Sequence, residues 1–439
     1  MSEDLSAKVF CVCDHGFFLP VARRIAQTGA KVYFHNLAWL KAYPTLNEGI
    51  LGDGFPEGDI ELCLDFWPIK KQIDCFVFPD LGHAGLQQEL RSQGFNVWGA
   101  GAGMALEQDR EFFLAQLKKL GLDVPPHETI VGITALRKYL WDKEDIWIKM
   151  STWRGSWETK HWRNRRVDGH RLHLWAVKFG GIREKVIFLC FPKIDTKLEI
   201  GADTYCIDGQ WPELMLHGIE KKDEAYFSAV TKRSEMPEEL THIMDAFSPF
   251  LGSVAYRNQW SMEARVTEDK VYFLDATTRG GLPSTASQLC NMTNFPEVVY
   301  HGSKGEFVEA EYEKAFTAEC MVKIHGDPGC WETVDLPPEL KDWLMLSDCC
   351  EVDGMPWFPS DDDAISEIGW LCATGDTPTE CARRMNELAD ALPDGADAAV
   401  ESLADIIREV EAEEEQGIKF TEQPMPDPEV VLEPSKNDS

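Results

Sequence analysis

The sequence predicts an α/β and α+β fold. It has an open α/β domain on a parallel sheet at the N-terminus, a longer middle region carrying a β-hairpin, and a small α/β domain near the C-terminus. Three observations carry this. Apolar strand-like runs alternate with amphipathic helical runs before about residue 103. A strand–turn–strand stretch, "SMEARVTEDKVYFLDATTRGG", begins at Ser261. A second strand-and-helix rhythm returns after about residue 300.

Taken in order, "AKVFCVC" is a buried strand, "LPVARRIAQTG" a helix closed by Gly29, and "AKVYFHN" a second strand, which makes a βαβ unit. "IDCFVFPD", "GLQQELRSQG" and "FNVWGAG" repeat the rhythm, so residues 1–103 form the first domain. The glycines of "GAGAG", Gly99 to Gly103, lack dinucleotide-loop spacing and read as a flexible connection. "GMALEQDREFFLAQLKKLG" is an amphipathic helix ending at Gly121, "ITALRKYLWD" a short helix, and "DIWIKM" a strand carrying Lys149. "RLHLWAVKF", "KVIFLCF" and "DTYCIDG" read as strands, and "PEELTHIMDAFSPFLG" as a helix before the hairpin. These elements make a middle domain over 104–300, with a subdomain at about 124–190. Residues 301–412 form the C-terminal domain, and 413–439 an acidic tail with too few apolar residues to pack.

Lys and Arg number 43 against 75 Asp and Glu, a net charge of −32, which opposes nonspecific binding to nucleic acid. No apolar run approaches the length of a membrane span, and the first residues lack the apolar core of a signal peptide. The 13 cysteines follow no zinc spacing and read as reduced, mostly buried thiols of a cytoplasmic protein.

Chemistry concentrates in a few places. Lys149 ends an apolar strand, and "STWRGSWETK" follows it with Arg154, Gly155, Ser156 and Lys160. Backbone N–H groups of such a loop can wrap phosphate oxygens. "RNRRVDGHR" continues the basic character and reads equally as a solvated turn or as a phosphate funnel. With a turn near Asp269, Glu263 and Asp275 face each other across the hairpin. Two facing carboxylates repel unless a cation lies between them, so the pair suits a hard ion such as Mg²⁺. Arg110 opens a helix beside Glu107 and Asp109, either of which could pair with it.

In this order, the pieces resemble the ATP-grasp pattern, and most closely the phosphoribosylamine–glycine ligase (glycinamide ribonucleotide synthetase) family. Residues 74–130, beginning "DCFVFPDLGHAGLQQELRSQG", resemble that family's passage into its ATP-grasp region. "GWLCATGDTPTECARRMNELADAL" resembles its C-terminal domain. The resemblance implies an ATP-grasp fold behind an N-terminal Rossmann-like (pre-ATP-grasp) domain. It implies an ATP-dependent ligase that uses Mg²⁺ (or Mn²⁺) to join a small carboxylate, glycine or another amino acid, to an amine. Arg110 and Lys149 would touch phosphates, and Arg154 to Lys160 would form the flap over them. Glu199, or alternatively Asp203, would bind the nucleotide. Glu263, Asp275 and Thr277 would hold metal, and Arg279 would steady the transferred phosphoryl group. Gly281 and Ser284 are candidates for the substrate carboxylate, although that stretch reads equally as a plain turn.

Three features depart from the family. Thr277 stands where an Asn is usual. The first loop, "CDHGFFLP", has only Gly16 where the family's ribose-phosphate loop is Gly-rich. "HGIEKKDEAYFSAV" replaces a second Gly-rich loop. They suggest an altered acceptor site and leave two rival readings: an amino-acid ligase acting on a modified nucleobase or nucleotide, and a non-catalytic nucleotide-binding scaffold.

Overall fold

The structure, a computed structural model, describes residues 4–36, 59–152, 159–195, 198–327, 330–353, 355–359, 365–415, 420–421 and 423–428. Arg154, Gly155 and Ser156 of the expected phosphate loop lie outside the described residues.

The N-terminal sheet contains β1 (Val9–Asp14), β2 (Lys31–Asn36), β3 (Asp59–Leu62), β4 (Cys75–Val77) and β5 (Val97–Trp98), all parallel, in the order β3-β2-β1-β4-β5. Helices α1 (Leu19–Ala26) and α2 (Ala84–Ser92) cross over between strands. The order reverses between β1 and β4, and crevices form at the carboxyl ends of strands at such a point. Asp14 ends β1, and Asp80 follows β4. The glycine run is not a flexible connection. Gly99 N donates to Arg257 O at 2.6 Å and Gly101 N to Gln87 Oε1 at 2.8 Å, which pins the passage to the next domain.

The long helix expected over 103–121 is broken into α3 (Ala105–Gln108) and α4 (Arg110–Leu120). Asp109 is the cause. It adopts an extended conformation and its side chain accepts from Phe112 N, capping the second helix. The subdomain that follows holds β6 (Glu128–Val131), α5 (Ile133–Tyr139), β7 (Ile146–Met150), β8 (Thr159–Trp162), α6 (Arg165–Phe179) and β9 (Ile187–Pro192). Its sheet runs β6-β9-β7-β8.

Helix α6 corrects the strand expected at "RLHLWAVKF". Asn164 caps it, and Leu172, Trp175, Ala176 and Phe179 bury one face at helical spacing. The alternation of apolar and polar residues imitated a strand, but the cap and the i, i+3, i+4, i+7 contacts decided for helix. The basic run is also partly neutralised from within. Arg163 and Arg171 both pair with buried Asp168, at 2.8 and 3.3 Å.

The large sheet is built from β10 (Leu198–Ile207), β11 (Leu214–Lys221), β12 (Ala225–Lys232), β13 (Arg257–Val266) and β14 (Val271–Thr277), with α7 (Glu238–Ser253) preceding the last two. Next come α8 (Thr285–Asn291) and α9 (Phe295–Ser303), then β15 (Phe316–His325), β16 (Trp331–Thr333), β17 (Leu344–Leu346), β18 (Cys350–Val352), β19 (Met355–Pro359) and β20 (Ile365–Gly375). Helix α10 (Pro378–Asp390), β21 (Ala396–Ala398) and α11 (Val400–Glu415) complete the chain order. The path β14-β13-β10-β11-β12-β15-β20-β17 makes one continuous sheet, with β21 on β15, so the middle and C-terminal regions share a floor. A small sheet β16-β19-β18 lies apart from it.

The tail expected from residue 413 stays on the body for longer. Helix α11 extends to Glu415, and Phe420 is buried against His217 and Phe227, with ring centroids 5.1 and 6.1 Å away. One ring suffices to dock a segment whose composition is otherwise polar. Phe420→Ala should therefore cost about 3 kcal/mol. Differential scanning calorimetry would read this as a thermal midpoint lower by several degrees; an unchanged midpoint would mean that Phe420 leaves its pocket in solution.

Candidate active site

The four-stranded sheet of the subdomain faces the β13–β14 end of the large sheet, and two connected spaces lie between them. One is a 290 Å³ crevice with apolar walls from Phe113, Leu114, Trp147, Phe191, Pro192 and Ile194. The other is a 540 Å³ cavity with polar walls, including Arg110, Lys149, Glu199, Glu220, Glu263, Asp275 and Arg279. A flat apolar slot that opens onto a charged chamber matches the two ends of a nucleotide.

Glu263 and Asp275 do face each other. The turn is tighter than expected, however. Thr267 N donates to Lys270 O, and Val266 opposes Val271. A bulge between Glu263 and Ala264 then shifts the register by one residue and restores the pair. The cations that answer Asp275 are side chains of this protein. Arg110 Nη1 bonds its Oδ1, and Lys149 Nζ its Oδ2 at 2.6 Å. Arg110 thus reaches an acid 165 residues away in sequence. Burial lowers the Lys149 pKa against the attraction of Asp275. Burial raises the Glu263 pKa well above its ordinary value, and a hydrogen bond with Glu199 and the charge of Asp275 add to this. Glu263, disfavoured in its ionised form, together with Asp275 offers only oxygen donors, which fits a hard divalent cation. Thr277, opposite Ser261 on the same hairpin, lines the cavity. Among the described residues, no group of three or more His, Cys, Asp or Glu side chains could hold a metal, so the pair would need oxygens from a ligand to complete a site.

Arg279 is held by Glu107, whose Oε1 accepts from its Nε at 3.2 Å and whose Oε2 accepts from Thr278 N at 2.7 Å. Asp80 lies 3.6 Å from the same Nε. Burial alone would lower the Arg279 pKa, but Glu107 and Asp80 raise it. Glu107, Glu220, Lys222 and Glu409 are cavity residues that sequence reasoning passed over. The only signal for Glu220 and Lys222 was that "HGIEKKDEAYFSAV" replaced an expected loop; Glu409 reaches the cavity from α11.

Glu199 lines both spaces and accepts from Arg265 Nε at 3.1 Å. Asp203, four residues along β10 and so roughly 13 Å away, lines the larger space only and turns to other partners. Ser284 Oγ donates to its Oδ1 and Tyr226 OH to its Oδ2, each at 2.6 Å. Tyr226 reaches it over Gly218, where an added Cβ would sit 2.2 Å from the hydroxyl. Gly281, one of the two residues expected at a substrate carboxylate, lines the cavity, whereas the donors of Ser284 have partners within the protein. Ser284 N and Ser287 N both donate to buried Glu319 at 2.6 Å. Of the expected flap, Thr159 lines the cavity and Lys160 does not. They alternate along β8, so one side chain faces in and the next faces out.

No protein-family model matches this sequence, and no curated protein matches it. Solved structures do resemble it. Phosphoribosylamine–glycine ligase from Thermotoga maritima covers 89% of this chain and 98% of its own, at 15% identity and a TM-score of 0.64. The biotin carboxylase domain of the Hydrogenobacter thermophilus 2-oxoglutarate carboxylase, in complex with MgADP, ADP and bicarbonate, covers 94% of this chain and 96% of its own, at 14% identity and 0.63. Biotin carboxylase from Campylobacter jejuni, in complex with β-γ-ATP, covers 89% and 93%, at 13% identity and 0.61. This chain has the ATP-grasp fold.

The ion pairs set a testable sign. Asp275→Asn leaves Arg110 and Lys149 without their shared anion, so the ligand-free protein should melt several degrees lower. Glu263→Gln should hold or raise the midpoint. The raised Glu263 pKa means that its contribution to stability is full below about pH 4.5, the group's ordinary value, and is lost as pH rises. Glu263→Gln should flatten that part of the stability–pH curve in a thermal-shift series. A destabilised, equally pH-dependent Gln variant would refute this account of the pair.

Proposed function

We propose that this chain is an ATP-dependent carboxylate–amine ligase that forms an amide through an acyl phosphate and releases ADP. The observation that carries the reading is the part-buried Arg110–Asp275–Lys149 cluster, with Glu263 beside it, where an apolar slot meets a charged cavity. The adenine fits the crevice walled by Trp147, Phe191 and Phe113, and Glu199 stands between crevice and cavity to accept from a ribose hydroxyl. Arg110 and Lys149 then exchange Asp275 for phosphate oxygens. Mg²⁺ (or Mn²⁺), held by Glu263 and Asp275 with Thr277 nearby, would neutralise phosphate charge.

A substrate carboxylate attacks the γ-phosphorus and ADP leaves. Arg279, oriented by Glu107, faces the charge that develops on the phosphoryl oxygens. An amine attacks the acyl carbon of the resulting acyl phosphate, phosphate departs, and the amine loses a proton to give the amide. The carboxylate is a small one, glycine or another amino acid. The 13 cysteines, scattered without a disulfide framework, fit a reducing cytoplasm, and among the described residues no helix is long and apolar enough to cross a membrane.

The experiment is ADP and phosphate release with Mg²⁺ across a panel of amino acids and amines. Lys149→Ala should reduce turnover at least ~100-fold, the scale of one lost preorganised charge. Turnover unchanged by that substitution would place the nucleotide elsewhere. No turnover with any acid–amine pair, despite ATP binding, would favour a nucleotide-binding scaffold.

A further inference from the structure

Helix α6 is apolar on two opposite faces. At about 100° per residue, Leu172, Trp175, Ala176 and Phe179 share the face that is buried in the subdomain core. Val167, His170, Leu174 and Val177 share the face directly opposite. That face is open: Val167 is 43%, Leu174 60% and Val177 67% exposed. A surface helix ordinarily turns charged and polar side chains outward, and clustered exposed aliphatic groups mark a place of interaction. Basic residues border the stripe, with Arg171 and Lys178 along one edge and Arg166 along the other. The surroundings share this sign. Residues 133–185 hold 13 Lys and Arg against 6 Asp and Glu, in a chain with 43 against 75. The stripe looks away from the candidate site. Ile146, Ile148 and Met150 of β7 pack in the same core as α6, whereas Trp147 and Lys149, on the other face of that strand, line the crevice.

The spacing of the stripe, alternately three and four residues, is that of a coiled-coil seam, which a second helix matches. Basic edges attract acidic ones and repel basic ones. The α6 helices of two copies would therefore repel each other. A nucleic acid would be drawn to the basic edges but would leave Leu174 and Val177 uncovered.

We propose that the outer face of α6 docks an acidic amphipathic helix of a partner protein. The apolar seam of that helix covers Val167, Leu174 and Val177, and its carboxylates meet the basic edges. The docking surface is separate from the ligase site and does not depend on the ligase reading.

The full chain would be titrated, by fluorescence anisotropy, into a labelled synthetic helix about three heptads long. Its seam carries leucine and its flanks glutamate; a control peptide carries lysine at the same flanks. The glutamate peptide should bind, and the lysine peptide should bind about 10-fold or more weakly. Leu174→Gln and Val177→Gln together should weaken binding of the glutamate peptide about 10-fold or more, the loss expected when anchoring side chains are removed. Both side chains are exposed, so the thermal midpoint of the double variant should stay unchanged. Arg166→Glu leaves the stripe intact, and it should weaken the glutamate peptide while strengthening the lysine peptide. A glutamate peptide that fails to bind, that binds no tighter than the lysine peptide, or that binds both variants as it binds the wild type would overturn the proposal. Tighter binding of single-stranded RNA, or of phosphatidylserine vesicles, than of the glutamate peptide would also overturn it.

Discussion

The candidate site depends on one carboxylate shared by two cations. Asp275 comes from β14 of the large sheet, Lys149 from β7 of the subdomain sheet, and Arg110 from the first residue of α4. Their contact joins three separately formed elements at the point where the crevice opens into the cavity. A buried guanidinium and ammonium are costly without an anion, so the cluster also constrains how the two sheets approach. In the proposed function the cluster exchanges partners, phosphate oxygens replacing Asp275 at both cations.

The same logic recurs with opposite sign elsewhere in the protein. Two sets of backbone N–H donors, at the turns after β1 and before α8, would each suit an anion. Each holds a buried carboxylate of the protein, Asp14 in one and Glu319 in the other. Burial pushes the Glu319 carboxyl up to about 7, against the pull of those donors. Among the described residues, the cations that line the cavity are Arg110, Lys149, Lys222 and Arg279.

Much of this could be read locally. The parallel domain follows from apolar runs bounded by glycine, and the Lys149 strand and the hairpin acids from their own patterns. The facing of Glu263 and Asp275 emerged for an incomplete reason: a tighter turn and a bulge offset one another, and neither leaves a clear mark in composition. Helix α6 was missed because "RLHLWAVKF" satisfies both periods, and only the cap at Asn164 and the packing of Trp175 and Phe179 against Phe188 choose between them. Phe420 was missed because composition averages over a segment, whereas docking needs only one ring and a pocket.

The chain alone marked out residues that the structure brings to one cavity: a strand-end lysine, two opposed acids, and an arginine just beyond them. Tertiary structure decided their partners. The contacts of Arg110 with Asp275, of Asp203 with Ser284 and of Ser284 N with Glu319 all depend on elements far apart in sequence. Periodicity and propensity are properties of neighbouring residues, whereas charge pairing and desolvation depend on distances that exist only after the sheets have packed.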